Sequence, residues 1–156
     1  MNIVLIEPQI PQNTGNIARL CAATGSRLHL VGKLGFKTDD KYLKRAGLDY
    51  WKYVEIFYYE NVKEFERKCR KGEKFFLLTT KGSKIYSDVS FGNNDYLIFG
   101  SETKGLPDVM REKYFDRCIK IPILKETRSL NLANSVGIVL YEALRQTNFA
   151  SCQRAL

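Results

Sequence analysis

Three short polar segments hold the residue types that could bind a charged ligand or handle a proton, and each follows an apolar run. The first is residues 8–19, PQIPQNTGNIAR. Asn13 and Thr14 are good helix caps, so a helix is expected to begin there. Its free N–H groups and positive dipole end would suit a phosphate. Arg19 falls in the second turn, and its plainer reading is a solvent-facing arginine on a capped helix. The second segment is residues 97–107, LIFGSETKGLP, an apolar strand running into a loop between Gly100 and Gly105. Glycines let backbone approach a ligand closely. Glu102, at the C-terminal end of a strand, could bind hydroxyls or a cation where open α/β sheets hold ligands. Otherwise it is an exposed Glu in a tight turn. The third is residues 119–134, IKIPILKETRSLNLAN. Ser129 and Asn131 both stand where the last helix needs its N-cap. Only one can fill the role, so the other is free for different work.

Other chemistries find less support. There is no GxGxxG fingerprint and no GxxxxGK[ST] loop, which weakens nicotinamide and nucleoside-triphosphate readings. Cys21, Cys69, Cys118 and Cys152 are widely spaced, and His29 is the only histidine. A zinc site or a disulfide framework is therefore not expected, nor any metal. His29 lies within an apolar strand and reads as structural. The net charge of +8 suits a polyanionic partner. Residues 33–53 interleave Lys37, Lys41, Lys44, Arg45 and Lys52 with Phe36, Tyr42, Tyr50, Trp51 and Tyr53. Cations that track phosphates and rings that stack on bases fit a single-stranded RNA loop, so Lys37, Lys41, Lys44, Arg45 and Trp51 are the RNA-binding candidates. The basic strip over 63–74 reads as a solvated helix face.

The elements that must position these segments alternate. Strands are expected over 2–6, 27–31, 53–57, 74–79, 96–100 and 118–121, and helices over 13–24, 39–46, 62–70, 106–114 and 131–147. That pattern predicts an α/β sheet. Leu132, Val136, Val139, Leu140, Ala143 and Leu144 make an apolar stripe at helical spacing, which Ile138 and Tyr141 widen. Part of that helix is expected to face a second subunit, Tyr141 included. With 156 residues, 44% of them hydrophobic, the chain is expected to form one domain, 1–156. No apolar run would span a membrane and the N-terminus lacks the features of a signal peptide, so the expected location is the cytoplasm.

Residues 13–19, NTGNIAR, 99–107, FGSETKGLP, and Ile121-Pro122 followed by 129–135, SLNLANS, resemble the three motifs of the SpoU branch of the SPOUT methyltransferases, in the family's order. The resemblance covers nearly the whole chain. Residues 45–50, RAGLDY, and 78–82, LTTKG, resemble its minimal bacterial members, which methylate the ribose of the wobble pyrimidine in leucine tRNAs.

The resemblance implies a parallel sheet flanked by helices with a C-terminal trefoil knot, which topology rules alone would have rejected. It implies S-adenosyl-L-methionine as cofactor, S-adenosyl-L-homocysteine as product, and a homodimer whose active site draws on both subunits. By position, Leu78, Thr79, Gly100, Glu102, Gly105, Ile121, Ser129, Leu130 and Ala133 would bind the cofactor. Asn13, Arg19, Glu102, Ser129 and Asn131 match the branch's functional polar positions. A guanidinium stays protonated, so Arg19 would grip a phosphate or steady a developing alkoxide rather than act as a base. The expected substrate is a tRNA anticodon stem-loop. Another RNA such as rRNA, or a non-catalytic RNA-binding module of the same fold, are the competing readings.

Overall fold

The computed structural model describes residues 1–37, 49–68 and 72–152. Seven parallel strands form one sheet in the order β3-β2-β1-β6-β4-β7-β5. In chain order they are β1 (Asn2–Ile6), β2 (Arg27–Val31), β3 (Ile56–Tyr59), β4 (Phe75–Leu78), β5 (Lys84–Ile85), β6 (Tyr96–Phe99) and β7 (Cys118–Lys120). The helices are α1 (Pro11–Thr24), the short α2 (Asp49–Trp51), α3 (Val62–Lys68), α4 (Asp108–Lys113) and α5 (Leu132–Gln146).

Strands β1 and β6 are buried throughout, as central strands covered on both faces must be. Alternate residues point to opposite faces. Ile3, Leu5, Leu97 and Phe99 join Ile17, Ala18 and Cys21 of α1 and Val136, Val139 and Leu140 of α5 in one core cluster. Val4, Ile6, Tyr96 and Ile98 face the other way, onto Phe65 of α3 and Met110 of α4. Helices therefore cover both sides. The element after β1 packs on one face and the element after β6 on the other, and these two strands are neighbours in exact register from Asn2–Tyr96 to Leu5–Phe99. Between them the strand order reverses, and the crevice beyond their C-terminal ends is where such sheets bind ligands.

Several expected boundaries move. Helix α1 begins at Pro11, with Ile10 as its N-cap and no side-chain cap. Proline at the first helical position gives up no hydrogen bond, so Asn13 lies inside the first turn rather than capping it. Pro107 stands just before α4 rather than within its first turn. Strand β3 starts at Ile56, not at 53: a turn closed by Tyr53 N–H donating to the Tyr50 carbonyl occupies the earlier residues. Strand β5 was not expected, since two residues are too few to carry an alternation. The helix expected over 39–46, with Lys41, Lys44 and Arg45, lies outside the described residues, as does Cys69.

His29 sits in the middle of β2 and is 3% exposed. Its Nδ1 is 2.9 Å from the Tyr59 hydroxyl and its Nε2 3.2 Å from the Asn2 side-chain oxygen. Phe57 stacks on its ring at 4.8 Å. Burial pushes its pKa down from 6.5 to about 4, helped by the Arg27 charge and opposed by Glu55. Cys21, Cys118 and Cys152 are free thiols, and burial pushes Cys21 up to about 12. Among the described residues no group of His, Cys, Asp and Glu is arranged to hold a metal ion, and no helix is long and apolar enough to cross a membrane.

Candidate functional site

A cleft of about 550 Å³ opens at the C-terminal ends of β6, β4 and β7. Its walls come from the loops that follow those strands, with Ile10 and Asn13 at the start of α1 closing one side.

The loop after β6 turns back on itself through a small antiparallel bridge. Ser101 N–H donates to the Gly105 carbonyl at 3.2 Å, and Gly105 N–H to the Ser101 carbonyl at 2.8 Å. Only glycine fits at 100, because a Cβ there would lie 2.0 Å from the Gly105 carbonyl carbon. Gly105, at φ +68°, takes the left-handed turn that closes the bridge.

Inside this turn Glu102 reaches across to the start of α1. The Gln9 N–H donates to its Oε2 at 2.8 Å, and the Ile10 N–H to its Oε1 at 3.2 Å. Asn13 Nδ2 donates to the same Oε1 at 3.0 Å. The chain thus supplies its own anion at the α1 N-terminus, where negative charge is favoured. A phosphate there, as the first segment suggested, would compete with Glu102. The carboxylate serves as a clamp between two loops rather than standing free for ligand hydroxyls.

The network continues into α5. Asn131 Nδ2 donates to Asn13 Oδ1 at 3.0 Å, while Asn131 Oδ1 accepts from the Ala133 and Asn134 N–H groups at 2.9 and 3.3 Å. Asn131 is therefore the helix cap. Ser129 is the residue left over, exposed and lining the cleft. One carboxylate and two amides, from segments about 90 and 118 residues apart in sequence, fix three loops relative to one another.

Of the residues expected at the site, Asn13, Leu78, Thr79, Gly100, Glu102, Gly105, Ile121, Ser129, Leu130 and Asn131 line this one cleft. Ala133 packs against the core beneath it. Arg19 is not brought there by its own chain. It lies on the exposed face of α1 with Gln12 and Asn16, its guanidinium carbon 4.9 Å from the centre of the Tyr50 ring. Lys37 is exposed away from the cleft, and Trp51 is half-buried against the core. Sequence reasoning passed over Lys81, Lys104, Arg111 and Arg128, which also line the cleft. Lys104 stands inside the second motif beside Gly105, Lys81 inside residues 78–82, and Arg128 next to Ser129, and that adjacency was a usable signal.

The family model described as the SpoU rRNA Methylase family matches residues 1–141. A relative from Saccharophagus degradans (strain 2-40), named tRNA (cytidine(34)-2'-O)-methyltransferase, is 49% identical over 96% of this chain and 97% of its own length. A solved structure described as giving structural insights into the 2-OH methylation of C/U34 on tRNA superposes with a TM-score of 0.90 at 41% identity, covering 94% of this chain and 95% of that one. A SpoU methyltransferase from Streptomyces viridochromogenes, solved in complex with the cofactor AdoMet, has a TM-score of 0.79 at 25% identity over 95% of this chain and 58% of its own.

Proposed function

The chain belongs to the SpoU methylase family, and we propose that it is an S-adenosylmethionine-dependent tRNA ribose 2'-O-methyltransferase acting on the wobble pyrimidine, position 34. The observation that carries this reading is the single cleft in which three sequence motifs meet, locked by Glu102, Asn13 and Asn131 with Ser129 left free. The relative named for cytidine 34 methylation and the structure described for C/U34 support the same reaction here. Leucine tRNAs, entered through the anticodon stem-loop, are the proposed substrates, and the cytoplasm the proposed location.

The cleft suits the methyl donor. Its volume is within the ~300–1,000 Å³ usual for small-molecule sites. Gly100 lets the Gly105–Leu106 backbone close against it, which shapes the turn that lines the cleft, and Leu78, Leu106, Ile121 and Leu132 offer apolar walls. The relative solved with AdoMet supports that ligand. When bound, S-adenosylmethionine supplies the methyl group, activated on a sulfonium.

The rest falls to this chain's own groups. The Glu102 clamp holds the Gly100–Gly105 turn and the start of α1 in fixed relation, so the cleft is shaped before a ligand arrives, and most of the gain is positional. Ser129 offers a hydroxyl that can relay the ribose proton, taking it onto Oγ as its own proton passes to water. Arg19, outside its own cleft, is proposed to act at the cleft of a second copy, holding a phosphate or the developing alkoxide with its planar fork. Exposed Ile138 and Tyr141 on α5 support a homodimer that would bring it there.

The trefoil knot is proposed on the order of the strands. β7 enters between β4 and β5, which are joined by residues 79–83. The Thr79 N–H donates to the Ile119 carbonyl at 3.0 Å, and a Cβ on Gly82 would meet the Ile119 carbonyl carbon at 2.5 Å. A connecting loop drawn this tightly around the incoming strand supports a threaded chain.

The test is to map ribose methylation in RNA from cells with and without this protein. Loss at position 34 of leucine tRNAs is expected. Intact methylation at position 34 would refute the reading, and loss at an rRNA site would replace it. The non-catalytic alternative predicts no thermal stabilisation by saturating S-adenosylhomocysteine, whereas the enzyme should gain about 3 kcal/mol at a hundredfold excess over Kd.

A further inference from the structure

The cleft holds more positive charge than its proposed donor can use. Lys81 enters from the loop after β4, Lys104 from the loop after β6, Arg111 from α4 and Arg128 from the loop before α5. Two acids line the same cleft, so the four cations outnumber them by two. Glu102 accepts from Gln9, Ile10 and Asn13, and Asp108 pairs with Arg111. Lys81, Lys104 and Arg128 are left exposed, with no ion pair among the described residues.

The charges of the ligands make this surplus informative. S-adenosylmethionine carries a sulfonium, an ammonium and a carboxylate, a net positive charge. Its carboxylate can occupy one of the three cations. Glu102, held only by neutral donors, offsets a second, and the positive charge left over still faces a cation in a concave site where fields are focused. The demethylated nucleoside keeps the same ammonium and carboxylate but has a neutral thioether sulfur. Contacts to its carboxylate and amine cancel in the comparison, so the surplus charge discriminates between the two by the sulfur alone. A nucleic-acid phosphate placed on the same rim would neutralise what the donor meets.

We propose that Lys81, Lys104 and Arg128 form a cationic rim that makes RNA binding and methyl-donor binding mutually reinforcing, and that favours the demethylated product over the donor while no RNA is present. The proposal rests on the reading of the cleft as the S-adenosylmethionine site. Linkage makes the coupling reciprocal: RNA raises donor affinity by the factor by which donor raises RNA affinity. Free enzyme is then held mainly by product, and the donor loads best onto the complex with RNA. Because the rim is exposed, added salt weakens the effect.

Isothermal titration of the full chain with S-adenosylmethionine and with S-adenosylhomocysteine tests this, with and without an anticodon stem-loop whose position 34 is 2'-deoxy, so that no turnover intervenes. Without RNA, the homocysteine form is expected to bind about 5- to 10-fold more tightly. Saturating stem-loop should bring the two within about twofold, as should raising salt from about 0.05 to 0.5 M. The double variant Lys81→Gln/Lys104→Gln should show the narrowed ratio without RNA, and Lys81→Arg/Lys104→Arg should restore the wide one. A ratio unchanged by RNA, by salt and by the glutamine pair would overturn the rim while leaving the cofactor reading intact. If neither nucleoside binds, the cofactor reading falls, and the rim with it.

Discussion

The carboxylate of Glu102 and the imidazole of His29 are each held by partners from distant segments, yet only Glu102 opens onto a cleft. His29 is sealed within the sheet, with both ring nitrogens matched to Tyr59 and Asn2 and aromatic rings around it. Nothing is left over, and the arrangement can only add stability and register. The Glu102–Asn13–Asn131 network is equally well satisfied in its centre, but its margin keeps the Ser129 hydroxyl and three cations that have no partner among the described residues. A buried polar network by itself does not mark a site. What distinguishes this one is the unspent chemistry at its edge.

Glu102 should be the most sensitive position. Glu102→Ala removes the acceptor for three donors and frees two loops to drift, so methyl transfer should fall about 1,000-fold, comparable to losing an oriented transition-state group. Single-turnover rates with circular dichroism as a check on folding would decide it, and a rate near wild type would mean the clamp is incidental.

At His29 the expected loss is of stability, and only in acid. The fold keeps the ring neutral down to about pH 4, whereas the unfolded chain protonates near 6.5. Below 6.5 the unfolded state therefore binds more protons, and stability falls with pH. It should be level above about 6.5 and lower by about 3 kcal/mol at pH 4. Denaturant titrations across that range should show the slope, and His29→Phe should abolish this contribution. An identical slope in the variant would remove His29 as its cause.

Smaller effects are expected at Arg19 and Ser129. Arg19→Lys keeps the charge and loses the fork, and should lower kcat/KM by about 30-fold, or about 2 kcal/mol. Rates matching wild type would show that charge alone suffices. Ser129→Ala should reduce turnover about tenfold, the scale of one hydrogen bond, while its unfolding free energy stays within about 0.5 kcal/mol. A large loss of stability would turn Ser129 into a structural residue.

Much of this was legible because local signals agreed. The apolar runs at 2–6, 27–31 and 96–100 read as strands, and strands occupy 2–6, 27–31 and 96–99, while the apolar stripe on α5 marks its core face. Two caps competing at Ser129 and Asn131 correctly implied that one would be free. The role of Glu102 was not legible, since its donors, Gln9, Ile10 and Asn13, are about 90 residues away and become neighbours only through the pairing of β1 with β6. Asn13 reads as a cap in the sequence, but Pro11 starts the helix two residues earlier. Strand β5 is defined by β7 inserting beside it, a tertiary event that two residues cannot announce.

Methyl transfer is proposed to join the cleft of one copy to Arg19 of another. Mixing Arg19→Ala with Ser129→Ala, after unfolding and refolding them together, tests it directly with labelled S-adenosylmethionine and a leucine tRNA anticodon stem-loop. In a heterodimer that shares sites, one cleft has an intact Ser129 and receives an intact Arg19. Statistical mixing should then restore about a quarter of wild-type turnover from two crippled parents. Activity no higher than the parents' average, with heterodimers demonstrably formed, would contradict the shared site.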